Sequence, residues 1–165
     1  MDMGFLAARA KEGDTAAFSQ LYAALYKDLY YFALSRAGNP HDAADAVSDA
    51  VLDAFSGIQK LQNPASFKSW IFTILNRKLT HFRKPRFIED QPDISYTADF
   101  TGVEVLEALG ALSTPQRTVF SLSAMCGMNA QEISEITGMK PATVRSHLLR
   151  ARKKLMADYS EYEKD

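Results

Sequence analysis

The chain has 165 residues, with 19 Lys and Arg against 20 Asp and Glu for a net charge of −1, and 47% hydrophobic and 24% charged side chains. That balance excludes a disordered polymer and fits one ordinary domain or two small ones. No apolar run approaches bilayer length, the N-terminus lacks the basic start, apolar core and cleavage site of a secretory leader, and the single Cys126 has no disulfide partner and no metal-site company among three scattered histidines. A cytoplasmic protein with no membrane insertion, no metal and no cofactor is expected, with Cys126 as a small buried hydrophobe.

Taken in chain order, Phe18, Leu21, Tyr22, Leu25, Leu29 and Phe32 recur at helical spacing and predict a long amphipathic helix after Gly13 and Asp14. Gly38, Asn39 and Pro40 break it, and Asn39 is placed to cap a second helix starting at Pro40 or His41. That helix turns Ala43, Ala46, Val47, Ala50, Val51, Ala54 and Phe55 inward. Residues 57–66 form a polar loop around Asn63 and Pro64, and a third helix over 67–84 buries Phe67, Trp70, Ile71, Ile74 and Leu75. Between Pro85 and residue 102 there is no helical period. Helical patterns then resume over 105–112, after Thr114 and Pro115, and again from residue 129 onward. No segment alternates like a strand and no repeat is visible. The expected fold is all-α: two small helical domains, 1–86 and 103–165, joined by an acidic flexible linker, 87–102, the second domain holding a helix-turn-helix.

Residues 129–155 carry the clearest chemical signal. A short helix with Ile133 and Ile136 inward ends at Gly138, where a tight turn calls for positive φ. Pro141 opens the next helix, whose stripe Val144, Leu148, Ala151 and Leu155 faces inward. Its other faces carry Arg145, Ser146, Arg150, Arg152, Lys153 and Lys154, with no acid between Glu135 and Asp158. A helix of that kind is suited to a DNA major groove.

The near-zero net charge conceals strong segregation. Every charge between Asp53 and Glu89 is positive: Lys60, Lys68, Arg77, Lys78, Arg83, Lys84 and Arg86. Every charge from Phe87 to Glu104 is negative: Glu89, Asp90, Asp93, Asp99 and Glu104. Screening confines each cluster to about a Debye length, roughly 8 Å at physiological salt, so local field and not the total governs attraction to phosphate. Asp42, Asp45, Asp49 and Asp53 step along one helical face. No nucleophile–base pair, glycine-rich phosphate loop or ligand spacing accompanies them, so no catalytic residue is assigned and the chain is not expected to be an enzyme.

With both blocks in view, the chain resembles bacterial sigma factors of the extracytoplasmic-function (ECF) group. EISEITGMKPATVRSHLLRARKKL is similar to that family's acidic-aliphatic helix, glycine turn and Arg-Ala-Arg-rich helix, and LSTPQRTVF to the helix before it. DAADAVSDAVLDAF resembles the family's acidic docking segment, and FKSWIFTILNRKLTHFRK its tryptophan-led basic helix. Ser48 and Asp49 stand where Gln-Glu is usual, Arg77 and His81 where Asn and Asp or Asn are common, and His147 where Arg is common.

The resemblance implies a transcription initiation factor that binds core RNA polymerase, directs it to specific promoters and aids their opening. It implies that Arg145, Ser146, Leu149, Arg150, Arg152 and Lys153 meet the upstream (−35) element, the last two through phosphates. It places Asn63, Arg77, Lys78, His81, Arg83 and Lys84 at the downstream (−10) element, where an extruded base needs a polar pocket and an exposed strand needs cations. Asp45, Ser48, Asp49, Leu52 and Asp53 would dock on the β′ clamp helices of polymerase, with the β flap as a further contact. An anti-sigma factor is a further implied partner, and the acidic linker could occupy the RNA path. Rival readings are a sigma-like mimic, a stand-alone helix-turn-helix regulator that does not initiate, and a recombinase with this terminal module.

Overall fold

A computed structural model describes residues 1–80 and 102–162. Residues 87–101 of the expected linker therefore lie outside the described part, as do His81, Arg83 and Lys84 of the expected downstream site. Among the described residues all regular structure is helical. The first block comprises α1 (Met3–Lys11), α2 (Thr15–Ala37), α3 (Pro40–Gly57) and α4 (Phe67–Leu79), with 3₁₀ turns at Ile58–Lys60 and Pro64–Ser66 between the last two. The second comprises α5 (Gly102–Gly110), α6 (Thr114–Phe120), a π-helical turn (Ser121–Met125), α7 (Ala130–Thr137) and α8 (Pro141–Tyr162).

Side-chain caps set the helix starts. The Asp14 carboxylate accepts from the Ala17 N–H at 3.1 Å and opens α2. Asn39 opens α3 by accepting from the Asp42 N–H at 2.9 Å, while its amide donates to the Asp42 carboxylate at 2.8 Å. Ser113 and Gln116 form a reciprocal capping box at α6, and Asn129 caps α7 through the Glu132 N–H at 2.9 Å. Each such cap is worth about 1 kcal/mol.

Burial follows the predicted stripes with informative exceptions. Leu21, Leu25, Leu29 and Phe32 of α2 meet Phe67, Ile71, Phe72 and Leu75 of α4 and the alanine-rich side of α3 in one core. Each fully buried Leu or Phe contributes about 1.5–3 kcal/mol. Phe55, expected inside, lies at the edge of its stripe and is 48% exposed, its ring edge-on to Phe18 at 5.1 Å. Trp70 and Ile74 are half-buried.

The core does not stop at the block boundary. Val119, Leu122, Met128, Ile133, Ile136 and Val144 of the second block belong to the same buried cluster as the first-block residues. At the seam Arg36, only 3% exposed, donates to Asn76 Oδ1 at 3.2 Å, to the Leu79 carbonyl at 3.1 Å and to Thr118 Oγ1 at 2.9 Å. Cys126, at the end of the π turn, donates its thiol to the Asp28 carbonyl at 3.5 Å. Its burial agrees with the expected buried hydrophobe, and with Asp28 nearby it pushes the thiol up to about 12.

Candidate nucleic-acid interface

The α7–α8 turn is built as its residues require. Gly138 ends α7 at φ 77°, and its N–H returns to the Ser134 carbonyl at 2.9 Å. Val144 and Ala151 are buried beneath α8, with Leu148 and Leu155 half-buried beside them. At about 100° per residue, Arg145, Ser146, Leu149, Arg150, Arg152 and Lys153 fall within about 160° of arc on the opposite side. All six are exposed. Among the described residues no carboxylate pairs with any of these cations. Leu149, 55% exposed in the middle of this arc, offers the apolar contact that a thymine methyl takes. His147 falls outside the arc, half-buried.

The first block carries a smaller basic surface. Arg77 is exposed on α4. Lys78 is ion-paired with Asp53 at 2.7 Å, and the hydrogen bond it donates to that carboxylate holds its ammonium above the usual range. The structure thus joins one residue expected to meet DNA to one expected to meet polymerase. Asn63 is exposed on the preceding loop, where its side-chain oxygen accepts from the Ala65 N–H at 3.1 Å and so shapes the 3₁₀ turn, leaving its amide N–H groups for other partners.

On α3, Asp45, Ser48, Asp49, Leu52 and Asp53 are all exposed and fall within about 140° of arc. Asp42 lies on the same side at the start of the helix, but it is half-buried and held by Asn39. Leu52 is 63% exposed, and with Phe55 it adds an apolar edge to the acidic face. Phe55 was missed because its spacing places it with the inner stripe; the available signal was its position at the edge of that stripe, where it still touches Phe18 of α2 while about half of it stays exposed. Among the described residues no group of His, Cys, Asp or Glu is arranged to hold a metal ion, and no helix is long and apolar enough to cross a membrane.

Fold and surfaces together define, among the described residues, an all-helical DNA-binding protein of two blocks with an exposed acidic face on α3. Residues 21–86 match the family model for sigma-70 region 2, and residues 102–155 that for sigma-70, region 4. The RNA polymerase sigma factor SigV of Bacillus subtilis is 31% identical over 77% of this chain and 81% of its own length. The ECF RNA polymerase sigma factor EcfG of Rhodopseudomonas palustris is 32% identical over 76% of each. The solved structure of CnrH in complex with the cytosolic domain of CnrY superposes with a TM-score of 0.83 at 29% identity, covering 98% of this chain and 99% of that one. The chain belongs to the sigma-70 family, in its extracytoplasmic-function group. It is a transcription initiation factor that works with RNA polymerase at promoters.

Proposed function

We propose that the chain divides this work among three surfaces. Residues 103–165 read the upstream element through Arg145, Ser146, Leu149 and Arg150, with Arg152 and Lys153 on phosphates. Residues 1–86 engage the downstream element through Asn63, Arg77 and Lys78, together with His81, Arg83 and Lys84. Asp45, Ser48, Asp49, Leu52 and Asp53 dock on a basic surface of core polymerase, and residues 87–102 link the two parts. The observation that carries the reading is the segregation of exposed charge: a cationic arc on α8 that no carboxylate pairs among the described residues, and an acidic, apolar-edged face on α3. Polymerase supplies the chemistry and this chain supplies binding energy, in the cytoplasm where polymerase and promoter meet. CnrH is captured with a bound protein partner, which supports an anti-sigma factor as a partner of this chain.

The division is tested with two variants and two assays. Asp49→Lys should abolish co-elution with core polymerase, whereas Arg150→Ala should co-elute normally and lose about tenfold or more in upstream-element affinity, as expected for one bidentate base contact. Equal loss of core binding in both variants contradicts the division.

A further inference from the structure

We propose that Ser134 and Thr137 are positioning residues for upstream-element recognition: their hydroxyls clip both backbone polar groups of Met139 to α7 and so fix the direction in which α8 leaves the turn. This role rests on the proposed reading of α8 as the helix that meets the upstream element. Met139 and Lys140 alone separate the left-handed Gly138 from Pro141, the first residue of α8. The Thr137 hydroxyl accepts from the Met139 N–H at 3.2 Å and donates to the Ile133 carbonyl at 2.8 Å. The Ser134 hydroxyl donates to the Met139 carbonyl at 2.5 Å. Met139 is thus held at its N–H and at its C=O by two side chains of α7, while its own side chain packs half-buried against the core. α8 has no comparable hold at its own start. A side-chain oxygen caps α2, α3, α6 and α7, but Lys140 before Pro141 has no acceptor to offer, and proline has no N–H. The two hydroxyls of α7 do from outside what a cap would do from within.

The consequence is one of leverage. At about 1.5 Å of rise per residue, Arg150 lies about 14 Å along α8 from Pro141. A swing of about 10° at the turn therefore moves the root of Arg150 by about 2 Å, whereas a productive polar contact tolerates roughly 0.5 Å. Val144 and Ala151 are buried beneath α8, so packing attaches the helix whether or not the turn is clipped, and the hydroxyls decide its tilt. Base-edge pairing depends on that tilt, because a bidentate contact needs both of its donors in place. Phosphate contact depends on it far less, since the long side chains of Arg152 and Lys153 can follow a displaced phosphate. Loss of the clip should cost discrimination among sequences and spare general affinity for DNA.

The experiment uses the full chain assembled with core polymerase, and promoter duplexes that carry either an upstream element selected by the wild-type assembly from a random library or a scrambled version of it. Thr137→Val keeps the side-chain shape and removes the hydroxyl, Ser134→Ala removes the other, and Thr137→Ser keeps a hydroxyl in place. All are compared at a temperature where circular dichroism shows them folded. Thr137→Val and Ser134→Ala should each lower the ratio of affinities, selected over scrambled, by about three- to tenfold, the range expected for one lost hydrogen bond, with scrambled binding unchanged. Thr137→Ser should keep the wild-type ratio. In the free chain, the Met139 amide of Thr137→Val should exchange its hydrogen about three- to tenfold faster than in wild type. The role is overturned if either hydroxyl-free variant keeps the wild-type ratio, if Thr137→Ser falls as far as Thr137→Val, if scrambled binding falls in the same proportion, or if the Met139 amide exchanges no faster. A wild-type assembly that prefers no upstream sequence overturns the reading of α8 and this role with it; a wild-type preference kept by both variants overturns the role alone.

Discussion

Gly138 offers a substitution whose magnitude can be worked from geometry alone. It turns the chain between α7 and α8 at φ 77°, and a Cβ built there meets nothing within 4 Å. Gly138→Ala therefore adds no clash, and its whole cost is that of placing an L side chain in the left-handed region, about 1–2 kcal/mol. For a chain of this size each kcal/mol moves the midpoint by about 2–4 °C, so the thermal melt should fall by about 2–8 °C. Gly138→Asn should lose less, because asparagine tolerates that conformation through local hydrogen bonding. The assay is a far-UV circular dichroism melt of the three proteins, repeated by urea unfolding to remove any dependence on heating rate. A Gly138→Ala protein as stable as wild type, or an order in which Asn costs more than Ala, would refute the assignment of the cost to backbone conformation.

Three further outcomes follow from the same structure. The Asp14 carboxyl is held below its ordinary range chiefly by the Ala17 N–H, with Arg9 adding to it. A carboxyl depressed in the folded state contributes stability above the unfolded aspartate value of about 3.9 and loses it as pH falls through the folded value. Asp14→Asn, which keeps an acceptor for the cap, should flatten that part of the acid-unfolding profile. Lys78→Met breaks only an exposed pair with Asp53 and should change stability by less than about 1 kcal/mol, so a large loss of downstream-element binding in the variant reports DNA contact and not folding. Arg152→Ala and Lys153→Ala should each weaken binding similarly on all sequences and reduce the slope of log affinity against log salt by about 1. A sequence-selective loss in either variant would move that residue from phosphate to base.

What the sequence made legible was local. Asn39, Gly138 and Pro141 mark their helix ends because capping and left-handed turns depend on the residue itself and its nearest neighbours. The charged faces of α3 and α8 were equally legible, since helical geometry alone decides which side chains share a side. The seam was not. Arg36 and Arg117 read as surface residues by type, and only contacts between distant segments bury them. The π turn at Ser121–Met125 has no sequence signature, and its effect is tertiary, presenting Cys126 to Asp28. The Lys78–Asp53 pair depends on how α3 and α4 lie together, which helical spacing within either segment does not specify.

The central claim is that this chain converts core polymerase into a promoter-specific initiator. Run-off transcription with purified core polymerase, the chain and a promoter library measures it directly. Transcripts starting at discrete sites, dependent on the chain and sharing paired upstream and downstream elements, are the expected result. Stable binding to core with no chain-dependent start site, on any template of the library, would contradict it.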